Sequence, residues 1–225
     1  MINIKRKVFS LSHLMFLHPL VQYIKFLLEY TGEKYVDKLY EFGPAPDYDR
    51  SQWLKEKFEL GLEIPNLPYY IDGDVKLTQS VAILRHIARK HNLLAKTDAK
   101  IAKADMLEYE AMDLRMSFGK ICGPDFESQK GSYIKETAEP KLAQLSSVLG
   151  SNDWFLGSSI SYVDFFLYES LYCIHELTPS SFDKHENLKK FIQRFEGLER
   201  IKKYINSDRY IKSPINGPWA TFGGK

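Results

Sequence analysis

The sequence predicts a mixed α/β domain of order βαβ-α-ββα followed by an all-α domain. Three observations carry that reading. Strand-type runs are confined to the residues before Thr78. A hairpin signal lies among them, Leu67–Thr78 with Asp72-Gly73 at its middle. Beyond His91-Asn92-Leu93-Leu94 the apolar residues recur only at helical spacing.

In chain order, Val8–Met15 reads as a strand and Leu20–Tyr30 as a helix with Leu20, Ile24, Leu27 and Leu28 on one face. Tyr35–Phe42 is the second strand. The Gly/Pro/Asp stretch Gly43–Asp49 is a loop, and Ser51 caps a short helix over Ser51–Leu60. In the hairpin, Asp72-Gly73 supplies positive-φ residues for the turn. Pro68 opening a strand suggests a cis bond that presents backbone to a ligand. Thr78-Gln79-Ser80 starts a helix whose core face is Val81, Ile83, Leu84, Ile87 and Ala88. The second half reads as helices at Asp98–Gly119, Tyr133–Leu149, Ser161–His175, Leu188–Phe195 and Leu198–Ile205. Ser161 and Asp164 form a capping-box-like start that nucleates a helix and does no chemistry. The Pro/Gly-rich tail after Tyr210 is expected to be irregular and to pack over the domain face. The domain boundaries drawn are 1–90 and 98–225.

A chain of 225 residues suits one large domain or two small ones, and 44% hydrophobic with 27% charged residues suits a packed core. Lys plus Arg number 31 and Asp plus Glu 29, a net charge of +2 that argues against nucleic-acid binding through a basic face. No uninterrupted apolar run reaches the roughly 18 residues of a membrane span. Lys5-Arg6-Lys7 ahead of Val8–Leu17 imitates a signal peptide, but His13, His18 and Pro19 break the run. A buried strand followed by a helix is the expected reading, in a cytoplasmic protein. Cys122 and Cys173 are too few for a disulfide scaffold or a structural zinc site and read as small buried hydrophobes within helices. There is no GxSxG, P-loop, GxGxxG, HExxH or CxxC. The six histidines are scattered, so no metal or cofactor is expected.

What remains is a site for a small anionic ligand. The helix start at Gln79-Ser80 offers backbone N–H groups, a hydroxyl and the positive end of a helix dipole, all suited to a carboxylate. The strand edge before Pro68 can pair with a peptide-like ligand through main-chain hydrogen bonds. Arg50, Trp53 and Lys57, spaced i, i+3 and i+7, project from one side of a helix and suit a second carboxylate.

Three stretches, Ala45–Phe58, Pro65–Tyr69 and Thr78–Leu84 with Ile87–Leu93, resemble the cytosolic glutathione transferases, the mu class in particular. The resemblance runs from about Leu20 to the C-terminus, including Ser161–Phe165 and Arg194–Leu198. It implies a thioredoxin-like N-terminal domain, an all-helical C-terminal domain and a homodimer. By position it places Arg50, Trp53 and Lys57 at the glycyl end of glutathione and Asn66 and Leu67 against its cysteinyl backbone, with Pro68 as the cis-proline. Gln79 and Ser80 would hold the γ-glutamyl carboxylate, joined by Asp113 from the second subunit. Met15, Met112, Met116 and Gly123, with the C-terminal segment, would line the pocket for small hydrophobic electrophiles. Glutathione is then a co-substrate, and no cofactor, nucleic acid or membrane is involved.

The same resemblance marks departures. The family's tyrosine that donates to the glutathione sulfur falls at Leu14, its neighbouring tryptophan at Met15 and a preceding glycine at His13. Ser10 and Ser12 lie nearby in sequence but out of register for that role. The aromatic key of the subunit contact falls at Ile64, and an electrophile-side tyrosine at Gly123. The chain is therefore expected to be a glutathione transferase, weakened at the thiol-activating step, or alternatively a non-catalytic protein that binds glutathione or hydrophobic ligands.

Overall fold

The computed structural model describes residues 9–14, 20–213 and 215–224. Four strands, β1 (Phe9–Leu14), β2 (Tyr35–Tyr40), β3 (Tyr69–Asp72) and β4 (Val75–Thr78), form one mixed sheet in the order β2-β1-β3-β4. β1 runs parallel to β2, with Leu14 opposite Tyr40, and antiparallel to β3; β3 and β4 form the expected hairpin. Val8 and Met15, the ends of the expected first strand, lie outside the described residues. The hairpin turn differs in detail from the sequence reading. Asp72 stays in β3 opposite Val75, and of the residues named for the turn only Gly73 has positive φ, at 61°. The central pair is therefore Gly73-Asp74, a pattern that needs glycine only at its first position.

Helix α1 (Gln22–Thr31) links β1 to β2. Its expected single apolar face is an underestimate: Gln22 through Leu28 are all buried, Lys25 included, which pairs with Asp37 of β2. The cause is that α1 is covered on several sides. It packs on α3 (Ser80–Lys90) within its own domain and on α7 (Tyr162–Leu177) and α9 (Glu199–Ile205) of the helical half. On α3, Ile83, Leu84, Ile87 and Ala88 are buried as expected and Val81 only partly. α2 is a short helix, Ser51–Glu56. Ser51 is its first residue rather than its cap, because Asp49 Oδ2 accepts the Ser51 N–H at 3.1 Å and starts the turn one step earlier.

The later elements are helical: α4 (Asp98–Ile121), α5 (Phe126–Tyr133), a π-helical turn at Ile134–Ala138, α6 (Glu139–Leu149), α7, a 3₁₀ turn at Pro179–Lys184, α8 (Glu186–Gly197) and α9. The helix expected to begin at Tyr133 starts at Phe126. Gly131 weakens the periodic signal without stopping the backbone. The Ser161–Asp164 box is a full one. Asp164, wholly buried, accepts the Phe155 N–H at 2.9 Å and both the N–H and the hydroxyl of Ser161 at 2.8 Å. It thereby ties the start of α7 to the preceding loop. Arg85 of α3 joins the two halves by donating to Asp105 and Glu108 of α4, at 2.6 Å each.

Cys173 lies inside α7, whereas Cys122 is the residue that ends α4 rather than one within it. Both are buried and free. Burial pushes their thiols up to about 12 and about 11, respectively. Neither should therefore react with a disulfide reagent at pH 8 while the protein is folded, because the thiolate is the reactive form. Titration before and after denaturation should give none and then two; a fast-reacting thiol in the native protein would contradict this burial.

Candidate binding and catalytic site

The helix start expected to receive an anion is formed by Gln79 and α3, and it carries a feature that the sequence did not reveal. Gln79, which precedes α3, has φ 68°, a conformation that a bulky residue rarely adopts. Among the described residues, no side chain caps this helix start. The first N–H groups of α3 are thus left to another acceptor beside the buried Ser80 hydroxyl. Gln79 itself is exposed.

The Leu67–Pro68 bond is cis, as expected, and so is Ala45–Pro46, which the sequence reading did not anticipate. Asn66 folds back so that its Oδ1 accepts the Leu67 N–H at 2.9 Å. Leu67 then retains its carbonyl as the group for pairing at this edge. Trp53 is buried, stacked on Tyr69 with ring centroids 6.0 Å apart and edge-on to Tyr40 at 5.4 Å. Arg50 and Lys57 flank α2 instead of lying inside one longer helix, since α2 has only six residues. Arg50 is exposed, and the Lys57 ammonium sits over the Phe58 ring at 5.2 Å.

At the end of α4, walled mainly by the helical half, lies a cavity of about 360 Å³. Leu20 ahead of α1, Met116, Gly119 and Gly123 around the end of α4, and Asn216 with Trp219 of the C-terminal segment line it. Of the expected electrophile residues, Met116 and Gly123 are in this wall; Met112 packs partly into the core one turn earlier, and Met15 lies outside the described residues. At Gly123 a Cβ would find its nearest atom 4.0 Å away, so the glycine leaves space open without being demanded by the backbone.

The tail packs where the sequence suggested. Trp219 lies edge-on to Phe42 at 5.4 Å and to Tyr48 at 6.1 Å, seating the C-terminal segment on the loop after β2. The Cys122 carbonyl accepts the Thr221 N–H at 2.8 Å, and Asn216 bonds to the Gly223 and Phe222 carbonyls. A Cβ at Gly224 would stand 2.3 Å from the Ala220 carbonyl oxygen, so this close turn requires glycine.

Sequence reasoning missed Arg115, which also lines the cavity. A signal was available: Ala104, Ala111, Arg115 and Phe118 repeat at helical spacing on the buried stripe of α4, so a charge stands where a core residue is due. Nearby, burial pushes the carboxyl of Glu169 up to about 7, with Arg115 pulling the other way. A carboxyl that is easier to protonate folded than unfolded makes stability fall as pH rises between its unfolded value of about 4.5 and about 7. Glu169→Gln should remove that loss, worth about 3 kcal/mol, so thermal melts at pH 5 and pH 8 should differ less for the variant than for the parent.

Family models for the glutathione S-transferase N-terminal and C-terminal domains match residues 13–89 and 112–208. Glutathione S-transferase Mu 1 of Bos taurus is 49% identical over 203 residues, covering 90% of this chain and 93% of that protein. Glutathione S-transferase Mu 2 of Homo sapiens is 50% identical over 204 residues, with coverage of 90% and 93%. The chain belongs to the mu-class glutathione S-transferases. Solved structures agree. The glutathione S-transferase Blo t 8 superposes with a TM-score of 0.85 at 32% identity, over 95% of this chain and 99% of that one. The Pi-class glutathione S-transferase of Onchocerca volvulus gives 0.82 at 28% identity, over 94% and 99%. In this glutathione S-transferase the four-stranded sheet, with α1, α2 and α3, is the thioredoxin-like N-terminal domain, and the helices from α4 onward form the C-terminal one.

Proposed function

We propose that this mu-class transferase adds the thiolate of glutathione to small hydrophobic electrophiles, as a detoxifying enzyme of the cytoplasm. The observation that carries the reading is the uncapped start of α3 at Gln79, on the same hairpin unit as the cis-Pro68 edge. One element offers N–H groups to a carboxylate, and the other offers strand backbone to a peptide. Gln79 and Ser80 take the γ-glutamyl end, Asn66 and Leu67 the cysteinyl backbone, and Arg50, Trp53 and Lys57 the glycyl end. Residues 1–90 thus hold glutathione, and the electrophile enters the cavity against residues 98–225. No helix is long and apolar enough to cross a membrane among the described residues.

The reading includes a homodimer. Along α4, Met106, Tyr109 and Met116 are more than half exposed on one stripe with Asp113, and Phe58 and Ile64 stand 74% and 67% exposed on the N-terminal domain. An isolated subunit would leave these large apolar groups in water, and a second copy of the chain removes them. Asp113 lies on that stripe, the position from which it would reach the partner's glutathione.

Calorimetric titration with glutathione, a conjugation assay with a chlorodinitrobenzene and sedimentation at micromolar concentration test the proposal together. Binding, a rate above the buffer background and a dimer are expected. Gln79→Ala should weaken glutathione affinity about tenfold, the cost of one hydrogen bond to a charged group. Absence of both binding and rate would refute the assignment, and a monomer would remove Asp113 from it.

A further inference from the structure

A second cavity, of about 740 Å³, lies where the end of α1 meets the helical half, at the start of α4. Tyr30 of α1, the stretch between α3 and α4, the loop ahead of α7 and Leu198 between α8 and α9 wall it. Leu93, Leu94, Ile160 and Leu198 are only partly buried, so this wall keeps apolar surface in contact with water. Lys96 and Lys100 supply its cations, both exposed and neither in an ion pair among the described residues. The Lys100 ammonium reaches across to the facing loop, where a Cβ at Gly157 would stand 3.7 Å from Nζ. No carboxylate lines the cavity among the described residues. Asp98, in the first turn of α4, is exposed outside it, and Asp153 beside Trp154 pairs with Arg194 at 3.0 Å. The helix adds to the positive charge. Thr97 accepts the Lys100 N–H at 3.4 Å, which leaves the N–H groups of Asp98 and Ala99 without an acceptor among the described residues.

We propose that this cavity is an accessory binding site for amphiphilic organic carboxylates. Lys96, Lys100 and the start of α4 hold the anion, and the apolar body lies on Leu93, Leu94, Ile160 and Leu198. A concave site that is largely apolar, with a few polar groups converging on one end, is the usual form of a small-molecule site, and this volume is within its range. It takes one molecule rather than a lipid surface. The site is also remote from the cavity assigned to the electrophile. That cavity lies at the far end of α4, and from Lys100 to Gly119 the helix runs about 28 Å. The two cavities share no lining residue. Since Tyr30 belongs to the N-terminal domain and Ile160 and Leu198 to the helical one, an occupant touches both and stabilises the fold in proportion to its binding.

The test is calorimetric titration of the whole protein with monomeric dodecanoate, and with dodecyltrimethylammonium as the probe of opposite charge. One dodecanoate per chain is expected, with an affinity that falls as salt is added. Lys96→Glu/Lys100→Glu should weaken it about tenfold, and Lys96→Gln/Lys100→Gln by less, because both side chains are exposed and each contributes modestly. The cationic probe should bind the parent more weakly than dodecanoate does and gain in the glutamate variant. Gly123→Phe, which fills the cavity at the other end of α4, should leave dodecanoate affinity unchanged. No binding by the parent would overturn the proposal, as would an affinity indifferent to both lysine pairs or equal for the two probes. A loss in Gly123→Phe without one in the lysine variants would place the carboxylate in the other cavity and overturn it as well. None of these readings uses the conjugation rate, so an inactive protein that binds dodecanoate as described would refute the transferase assignment and leave this site standing.

Discussion

Replacing Leu14 by tyrosine is expected to raise the conjugation rate about 100-fold while leaving glutathione affinity nearly unchanged, the scale of one well-placed donor to a developing or held anion. Leu14 ends β1, where it pairs with Tyr40 of the parallel neighbour β2. Ligands of open α/β sheets gather outside the carboxyl ends of their strands. By resemblance this is the place from which the family's tyrosine donates to the glutathione sulfur. A leucine has nothing to donate, so the bound thiol keeps a value nearer the ordinary one of about 8.5 for a free thiol. A phenol there stabilises the thiolate and enlarges its population at neutral pH. The binding contacts proposed for Arg50, Gln79 and Ser80 lie at the starts of α2 and α3 and are unchanged. The pH profile is the decisive readout: the apparent pKa of the bound thiol should move down in Leu14→Tyr. A variant with unchanged rate and profile would show that sulfur activation does not take place at the end of β1.

The second large effect is on stability. Asp164→Ala should lower the unfolding free energy by about 4 kcal/mol and the melting temperature by roughly 10 °C, since three donors lose their acceptor in a buried place. The Phe155 N–H, the Ser161 N–H and the Ser161 hydroxyl all meet this one carboxylate. Water does not replace it, because Asp164 is wholly buried. Ser161→Ala should cost only about 1 kcal/mol, as an ordinary cap does, since Asp164 keeps its two backbone donors. Paired melts of the two variants check the ratio; equal losses would mean that the hydroxyl, not the carboxylate, organises the start of α7.

Much of this architecture is legible in the amino acids alone, and the reasons are local. Asp72-Gly73 between alternating residues announces a hairpin, and Ser161 with Asp164 announces a helix start, because each works through hydrogen bonds within a few residues. The same locality made the cis bond at Pro68 and the helix start at Gln79 and Ser80 readable. The positive φ of Gln79 was not readable, since no property of glutamine favours it and the surrounding fold imposes it. The all-round burial of α1 was hidden for a related cause: a period within one helix reports its nearest layer, whereas α7 and α9 arrive from far along the chain. The partners of Arg115 escaped for the same reason, since its bonds to Ile215 and Asn216 span 100 and 101 residues of chain.

The pinning of the C-terminal segment has a consequence in time. During synthesis the N-terminal sheet and α4 leave the ribosome early and can fold as units, at about 5–20 residues per second. The cavity cannot form with them. Asn216, Trp219 and Ala220 are part of its wall, and they emerge only after α7, α8 and α9. A nascent chain can therefore hold its folded sheet, with the start of α3 and the cis-Pro68 edge, before any closed chamber exists for an electrophile. The order in which the chain is made separates the acquisition of the proposed thiol site from that of the chamber proposed for what the thiol attacks.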